Sequence, residues 1–417
     1  MKIVADFHIH SPYSRAVSKE MTLENLDSWA GIKGITVMGT GDFTHPKWMQ
    51  EIKAKLEPAE EGLFALRGHP ASKTRFILTV EISSIYSKGG KVRRIHNLFF
   101  FPSIESVEKF NAVLGWQGNL KSDGRPIVGV GAKELAKIAF DADPRAVVIP
   151  AHAWTPWFSV FGSMSGFNSL EECFDEYASH IFAIETGLSS DPAMNWRLSA
   201  LDRISFISNS DSHSLQRIGR EANVFDLSSL SYDMLAGAIK RKDPKEFLFT
   251  VEFFPEEGKY HYDGHRACGV RFGPEETKKV KKMCPKCGKP LTVGVMYRVD
   301  ELADRPAGIT PDGRIPFKSL VPLDEIIAES LDLGTSSKRV KAEYKKSVES
   351  FGSEFSVLMD TSDSDLKNAL LPEIAEGIRR VRAGELHIEP GYDGEYGVVK
   401  IFNNNERKMI TAQTALF

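Results

Sequence analysis

The 417-residue chain has no run of 18 or more apolar residues, which excludes an ordinary transmembrane helix. Its first residues also lack the apolar core of a signal peptide, so we expect an intracellular protein. Only four cysteines occur, and three of them fall within twenty residues, which in such a protein indicates metal binding more than disulfides. The net charge is only −3, which excludes a globally basic nucleic-acid binder and leaves local patches for any such contact.

Short apolar strands alternate with helical patterns up to about residue 245. This alternation predicts an α/β fold with parallel strands, and seven strands are enough to close a barrel. The predicted strands are Ile3–His8, Gly34–Asp42, Arg75–Glu81, Arg94–Phe101, Ala146–His152, Ile181–Glu185 and Ser205–Asp211.

The pattern changes after residue 245, and we predict three domains. A catalytic barrel over 1–245 precedes a zinc-binding domain over 246–310 and a mainly helical domain over 311–417. The last domain should contain the helices Leu323–Leu331, Ser337–Phe351 and Leu366–Ala383, followed by a hairpin over Leu386–Phe402.

Metal-capable side chains lie on or beside the ends of six of the seven strands. The exception is the strand Arg94–Phe101, where His96 lies near the start, and taken alone this residue would be read as a hydrogen-bonded core histidine. The carboxyl ends of the strands form the functional face of α/β folds. Nine ligands are too many for one ion and suit two or three ions arranged for hydrolysis: His8, His10, Asp42, His45, Glu81, His96, His152, Asp211 and His213.

A second metal motif follows the barrel region. His265 and Cys268 have the spacing HxxC, and Cys284 and Cys287 form a Cys-Pro-x-Cys-Gly knuckle, so the four residues predict a structural zinc site. His261 is a competing fourth ligand. Six lysines between residues 278 and 289, Lys279 and Lys282 among them, form either a solvated face or a contact for nucleic-acid phosphates.

The opening HxH, the strand-end glutamate and the late DxH resemble the polymerase-and-histidinol-phosphatase (PHP) superfamily, whose fold is a distorted β/α barrel. The resemblance implies three ions, held by His8, His10 and Asp211, by Glu81, His96 and His152, and by Asp42, His45 and His213. Two departures affect the third set. No aspartate follows the HxH within residues 13–17, and Phe43 and Thr44 separate Asp42 from His45.

The whole layout resembles the endonuclease Q family of DNA-repair enzymes. The resemblance spans nearly the full chain and rests on Gly39–Pro46, Pro150–Ser159, Ile184–Asp191, Asn209–His213 and Gly258–Gly269. It implies hydrolysis of the DNA phosphodiester 5′ to uracil, hypoxanthine, xanthine or an abasic site, leaving a 3′-hydroxyl and a 5′-phosphate. The cofactors would be two or three divalent ions (Zn, Mn or Mg) in the barrel and one structural zinc, in a cytoplasmic, nucleoid-associated protein.

The catalytic set predicted from these patterns is His8, His10, Asp42, Glu81, Glu185 and Asp211. Glu185 either orients a metal-binding histidine or contacts substrate. Trp154 and Trp157, with Phe158 and Phe161, either stack on a base or pack the mouth of the barrel. Arg93 and Arg94 form a further basic patch. The sequence Gln413–Phe417 resembles the start of a sliding-clamp binding peptide.

Three other functions compete with lesion cleavage. A phosphatase acting on small phosphomonoesters would use the same barrel but would not need the zinc segment or the C-terminal helices. A 3′–5′ exonuclease would degrade undamaged ends, and a DNA-binding scaffold would not need an intact ligand set.

Overall fold

The structure is a computed structural model and describes residues 1–403 and 406. It contains an α/β architecture built around a large sheet, as predicted. The strands of the described residues are β1 (Lys2–Asp6), β2 (Val37–Gly39), β3 (Leu56–Pro58), β4 (Phe64–Leu66), β5 (Arg75–Lys88), β6 (Lys91–Phe101), β7 (Ile127–Val128), β8 (Val147–Pro150), β9 (Ala183–Glu185), β10 (Ser205–Ile207), β11 (Ala222–Asp226), β12 (Phe247–Glu252), β13 (Asp263–His265), β14 (Val270–Phe272), β15 (Phe317–Ser319), β16 (His387–Glu389) and β17 (Val398–Lys400).

The main sheet has eleven strands and is mixed, so the prediction of parallel strands is correct for only part of it. Its order is β15-β12-β11-β1-β2-β5-β4-β3, with β6 between β5 and β8 and with β7 on β5. β1, β2 and β5 are parallel, whereas β11 is antiparallel to β1 and β6 is antiparallel to both β5 and β8. β9 and β10 form a separate parallel pair. Within the described residues no hydrogen-bonded path closes the sheet on itself, so the barrel stays a prediction.

The helices follow the capping signals of the sequence. Thr22 and Ser103 cap the first and third helices through their side chains, as serine and threonine commonly do. The helices are α1 (Leu23–Lys33), α2 (Pro46–Lys55), α3 (Ile104–Leu114), α4 (Ala132–Ala142), α5 (Leu170–Phe174), α6 (Pro192–Asn195), α7 (Tyr232–Arg241), α8 (Pro274–Lys279), α9 (Val295–Leu302), α10 (Leu323–Ser330), α11 (Lys338–Phe351), α12 (Asp363–Ala369) and α13 (Pro372–Ala383).

The C-terminal helices differ from the prediction at one point. The predicted helix 366–383 is divided into α12 and α13, because Pro372 cannot donate a helical hydrogen bond and disfavours helix in the residue before it. None of the described helices is long and apolar enough to cross a membrane.

The main sheet extends beyond the predicted barrel boundary. β12 begins just after residue 245 and pairs with β11, and β15, past residue 310, pairs in parallel with β12. The segment between these strands carries the β13–β14 hairpin and has a small core of its own, formed by Val270, Cys284 and Leu291. The three predicted domains therefore share one sheet at their junctions.

Candidate metal centre

Two of the chain segments that form the first donor group lie about 200 residues apart in sequence. The backbone N–H of Phe7 donates to Asn209 Oδ1 over 2.9 Å, and the N–H of His10 donates to the Ser212 carbonyl over 3.0 Å. The residues after β1 thus run alongside those after β10. This pairing places Asp211 opposite the two histidines of the HxH motif.

The four donors of this group have the separations that one ion requires. Asp211 Oδ1 lies 3.5 Å from His8 Nε2 and 3.1 Å from His10 Nε2. Glu81 Oε2 lies 3.6 Å and 3.4 Å from the same two nitrogens. Ligands about 2.1 Å from a tetrahedral ion are roughly 3.4 Å apart, so this set fits an ion such as zinc or manganese.

The second donor group uses the other oxygen of Glu81. His96 Nδ1 lies 2.6 Å and His152 Nε2 lies 2.9 Å from Glu81 Oε1, and the two nitrogens are 3.3 Å apart. Because β6 is antiparallel to β5, the start of β6 lies beside the later part of β5, and His96 faces Ser83, two residues after Glu81. Glu81 therefore joins both groups through its two oxygens.

Glu185 orients His8 from behind the first group. Its carboxylate accepts from His8 Nδ1 at 3.1 Å and from the His152 backbone N–H at 2.8 Å, and it is fully buried. This leaves His8 Nε2 buried, without a hydrogen-bond partner and directed at the carboxylates. An unpaired buried nitrogen is costly, and an ion between the four donors would satisfy it. Of the two predicted roles for Glu185, the geometry matches orientation of a histidine.

Asp42 has the same position behind His10. Its Oδ1 lies 3.0 Å from His10 Nδ1, and its Oδ2 accepts from the Ser11 backbone N–H and from the hydroxyls of Ser11 and Ser14. Its oxygens are thus occupied by protein donors. Gly124 closes this side, since a Cβ there would lie 2.2 Å from Asp42 Oδ2.

The structure does not join Asp42, His45 and His213 into a third donor group. Among the described residues, the clusters suited to a metal are the two above and the cysteine cluster below. His45 stacks on Tyr13, with ring centroids 4.5 Å apart, and its Nδ1 has no partner. His213 Nδ1 lies 2.9 Å from the Asp211 carbonyl, so it donates there and leaves Nε2 as the free ligating nitrogen.

Charges between these groups shift their titration strongly. Burial disfavours the imidazolium of His8, but the carboxylates of Glu185, Asp211 and Glu81 outweigh it and raise the pKa of His8 well above its usual value. Burial alone would raise the pKa of Asp211, yet His8 and His10 lower it. Asp211 thus remains ionised and attracts cations, and a bound ion would replace the protons of the histidines.

Arg125 enters this site without having been predicted. Its Nη1 donates to Glu81 Oε2 over 3.0 Å, and 31% of its side chain is exposed. It lies in a loop between α3 and β7, so neither a strand end nor a motif indicated it.

The cysteine cluster contains the four predicted ligands His265, Cys268, Cys284 and Cys287, whose donor atoms lie within 4.8 Å of one another. The β13–β14 hairpin supplies the first pair. The second pair lies in a tight knuckle, in which the Gly288 N–H donates to the Cys284 carbonyl. His261 stays outside the cluster. Soft thiolates with one imidazole fit a structural zinc ion.

The predicted DNA contacts separate into buried and exposed residues. Trp154 is 1% exposed and its indole N–H donates to Asn195 over 2.7 Å, so of its two predicted roles the geometry matches packing. Phe161 packs on it. Trp157 is 37% exposed and packs edge-on against Tyr260.

The basic residues differ in how far the protein already holds them. Arg93 donates to the Gly166 carbonyl and stacks on Phe167, whereas Arg94 lies over the Phe158 ring at 5.9 Å. Lys279 is exposed, and the exposed Lys282 lies over the Tyr297 ring at 4.4 Å. The clamp-like sequence Gln413–Phe417 lies outside the described residues.

Comparison with known proteins gives consistent matches. Residues 322–385 match the MJ0043 C-terminal domain family. Protein YqxK of Bacillus subtilis is 31% identical over 409 residues, covering 96% of this chain and 99% of YqxK. Protein MJ0043 of Methanocaldococcus jannaschii is 32% identical over 255 residues, covering 60% of this chain and 31% of MJ0043, so the chain spans about a third of that relative.

Two solved structures match over nearly the whole chain. The lesion-specific endonuclease PfuEndoQ from Pyrococcus furiosus has a TM-score of 0.85 and 32% identity, covering 96% of this chain and 95% of its own. Endonuclease Q in complex with a 27-mer duplex that carries an abasic lesion at the active site has a TM-score of 0.84 and 33% identity, covering 97% and 98%.

The fold is an α/β sheet, and its site contains two histidine–carboxylate groups that share one glutamate. This combination identifies the class of the protein as a metal-dependent hydrolase. The full-length matches are more specific. The chain belongs to the endonuclease Q family.

Proposed function

We propose that this protein is a DNA-repair endonuclease that hydrolyses the phosphodiester 5′ to a deaminated base (uracil, hypoxanthine or xanthine) or an abasic site. The observation that carries the proposal is the pair of donor groups joined by Glu81, in a chain whose full-length structural relative holds an abasic-lesion duplex at its active site. A water molecule attacks phosphorus, the bond to O3′ breaks, and a 3′-hydroxyl and a 5′-phosphate remain.

The chain's own residues prepare this reaction by fixing the donors. His8, His10, Glu81 and Asp211 would hold one ion, and Glu81, His96 and His152 a second. When bound, such ions supply Lewis acidity and lower the pKa of water. Glu185 and Asp42 hold the imidazoles of His8 and His10 in one orientation. Glu81 sets the separation of the two sites.

The remaining regions would bind the duplex. The exposed lysines around the cysteine cluster offer phosphate contacts, and Trp157 offers an aromatic face near the site. We assign the barrel region 1–245 to catalysis, the zinc segment 246–310 to binding of DNA, and the helical region 311–417 to support of both. The sliding-clamp contact remains part of this proposal for residues 413–417.

The test is a nicking assay with an end-labelled duplex that carries one uracil, one hypoxanthine or one abasic site, incubated with divalent metal beside an undamaged duplex. The proposal expects a single cut 5′ to the lesion, and loss of this cut in Asp211→Ala. Glu171→Ala, which removes an exposed glutamate paired with Arg203, is the matched control and should cut normally.

Equal digestion of damaged and undamaged duplexes from their ends would instead support an exonuclease. Hydrolysis of p-nitrophenyl phosphate without any cut in DNA would support a phosphatase of small phosphomonoesters. Either result would overturn the proposed lesion specificity.

A further inference from the structure

A single arginine lies in the wall of the metal centre. Arg125 Nη1 donates to Glu81 Oε2, the oxygen that faces His8 and His10. Among the described residues, no acceptor takes a hydrogen bond from Nε or Nη2 of Arg125. With 31% of its side chain exposed, the guanidinium therefore presents unused donors at the border between the donor groups and solvent.

The backbone of Arg125 is fixed to the strand that carries Glu81. Its N–H donates to Asp123 Oδ1 over 3.1 Å, and the carbonyl of the next residue, Pro126, accepts from the Ser83 N–H over 3.0 Å. β7 then pairs with β5 from Ser83 onward. These backbone hydrogen bonds hold the Cα of Arg125 close to β5, so its guanidinium stays near Glu81.

Arg125 is one of several cationic partners of Glu81. Glu81 is already within ion-pair distance of His8, His10, His96 and His152. A fixed positive charge beside a cation site raises the electrostatic energy of the loaded site unless an anion lies between them. A phosphodiester is such an anion, and the planar guanidinium binds phosphate oxygens through paired N–H donors.

We propose that Arg125 binds a non-bridging oxygen of the scissile phosphate and so positions the phosphorus over the two donor groups. This inference rests on the proposed function and names one further substrate-binding residue of that site. The Nη1 bond to Glu81 aims the guanidinium, while Nε and Nη2 are the donors available to the phosphate.

The test is a double-mutant cycle between the protein and the DNA. A duplex with one abasic analogue is made with either a normal phosphodiester or a methylphosphonate at the bond 5′ to the lesion, which replaces one charged oxygen with methyl. Binding is measured by fluorescence anisotropy in calcium, which we use to replace the catalytic ion. Bound metal is counted by mass spectrometry for every variant.

We expect Arg125→Ala to weaken binding of the normal duplex about tenfold or more, a typical loss for a charged hydrogen bond. The methylphosphonate should weaken the wild type similarly but should weaken Arg125→Ala little further, and the metal content should stay at the wild-type level. Arg125→Lys should restore part of the affinity. Arg15→Ala is the matched control, since Arg15 is 85% exposed and forms an ion pair with Asp123, two residues before Arg125, and its effect should add to that of the methylphosphonate.

Two results would overturn the inference and leave Arg125 as a partner of Glu81 only. One is that the losses caused by Arg125→Ala and by the methylphosphonate simply add. The other is that Arg125→Ala loses bound metal, so that the metal loss explains the weaker binding. If the wild type binds and cuts the lesion duplex while the cycle is additive, this inference fails alone. If the wild type neither prefers nor cuts the lesion duplex, the proposed function fails and this inference fails with it.

Discussion

At the scale of single residues, the orientation of His8 depends on one buried carboxylate. Glu185→Gln keeps the size of the side chain but removes the charge that holds His8 Nδ1. We expect a 10- to 100-fold loss of metal affinity or activity, the range typical of such orienting residues. Titration of the apoprotein with zinc or manganese, followed by the nicking assay, measures both.

The matched control for that change is Glu171→Gln, because Glu171 is an exposed glutamate far from the donor groups. Both variants should fold, as judged by circular dichroism. Wild-type metal affinity together with wild-type activity in Glu185→Gln would contradict the assigned role of Glu185.

Residue patterns indicated the donor residues that the structure groups together better than the residues that hydrogen-bond to those donors. His8, His10, Glu81 and Asp211 stood out because histidines and acids at strand ends have few other uses. Asp42 looked the same in sequence, yet three hydroxyl and amide donors occupy one of its oxygens. Arg125 could not be found, because its distance from Glu81 depends on the pairing of β7 with β5. Hydrogen-bond partners are set by the fold and not by spacing.

At the scale of elements, the sheet was predicted in position but not in direction. His96 lay at the start of a predicted strand and so seemed an exception to the rule that ligands follow strand ends. The antiparallel direction of β6 removes the exception, since the start of β6 adjoins the later part of β5. Direction depends on the length of the connection, and only two residues, Gly89 and Gly90, join these strands in a hairpin.

The zinc segment should depend on its ion for its structure, because its own core has only three buried residues. We expect Cys287→Ser to lose one equivalent of zinc and to become sensitive to protease between residues 266 and 290, while the main sheet stays folded. Zinc counting and limited proteolysis measure these effects. Cys173→Ala removes a buried cysteine outside the cluster and should keep the zinc; equal zinc loss in both variants would contradict the assignment.

β12 carries a buried acid that should make stability depend on pH. Burial raises the pKa of Glu252 to about 8, against hydrogen bonds from Thr250 and Thr186 that lower it. The neutral form is therefore favoured in the folded protein, and the stability it contributes is complete below the unfolded value of 4.5 and is lost as the pH rises to about 8.

Glu252→Gln should remove this dependence. Relative to the wild type, we expect the free energy of unfolding of the variant to gain about 1 kcal/mol or more between pH 5 and pH 8, as measured by urea denaturation at fixed metal concentration. Glu57→Gln, at an exposed position of β3, is the control and should follow the wild-type profile. A constant difference between Glu252→Gln and the wild type across this pH range would contradict the expectation.

At the scale of the whole molecule, a net charge of −3 requires DNA binding to rely on local basic surfaces. Lys279 is exposed, and among the described residues no acid lies within ion-pair distance of it. We expect Lys279→Ala to weaken binding of damaged and undamaged duplexes alike and to reduce the slope of log affinity against log salt by about 1. Lys109→Ala, on α3 and paired with Glu105, should leave the slope unchanged. A selective loss for the lesion duplex would contradict a phosphate contact.

The pairing of residues 7–10 with residues 209–212 also determines when the enzyme becomes competent. The first donor group does not exist until the two ends of a segment of about 200 residues have met, and closing so long a segment has an entropic cost that only the folded structure offsets. A nascent chain or a fragment that ends before Asn209 would lack this group altogether. Local opening of the same junction would separate Asp211 from His8 and His10 while most of the sheet stayed intact. The cutting chemistry proposed for this site is therefore tied to completion of the fold.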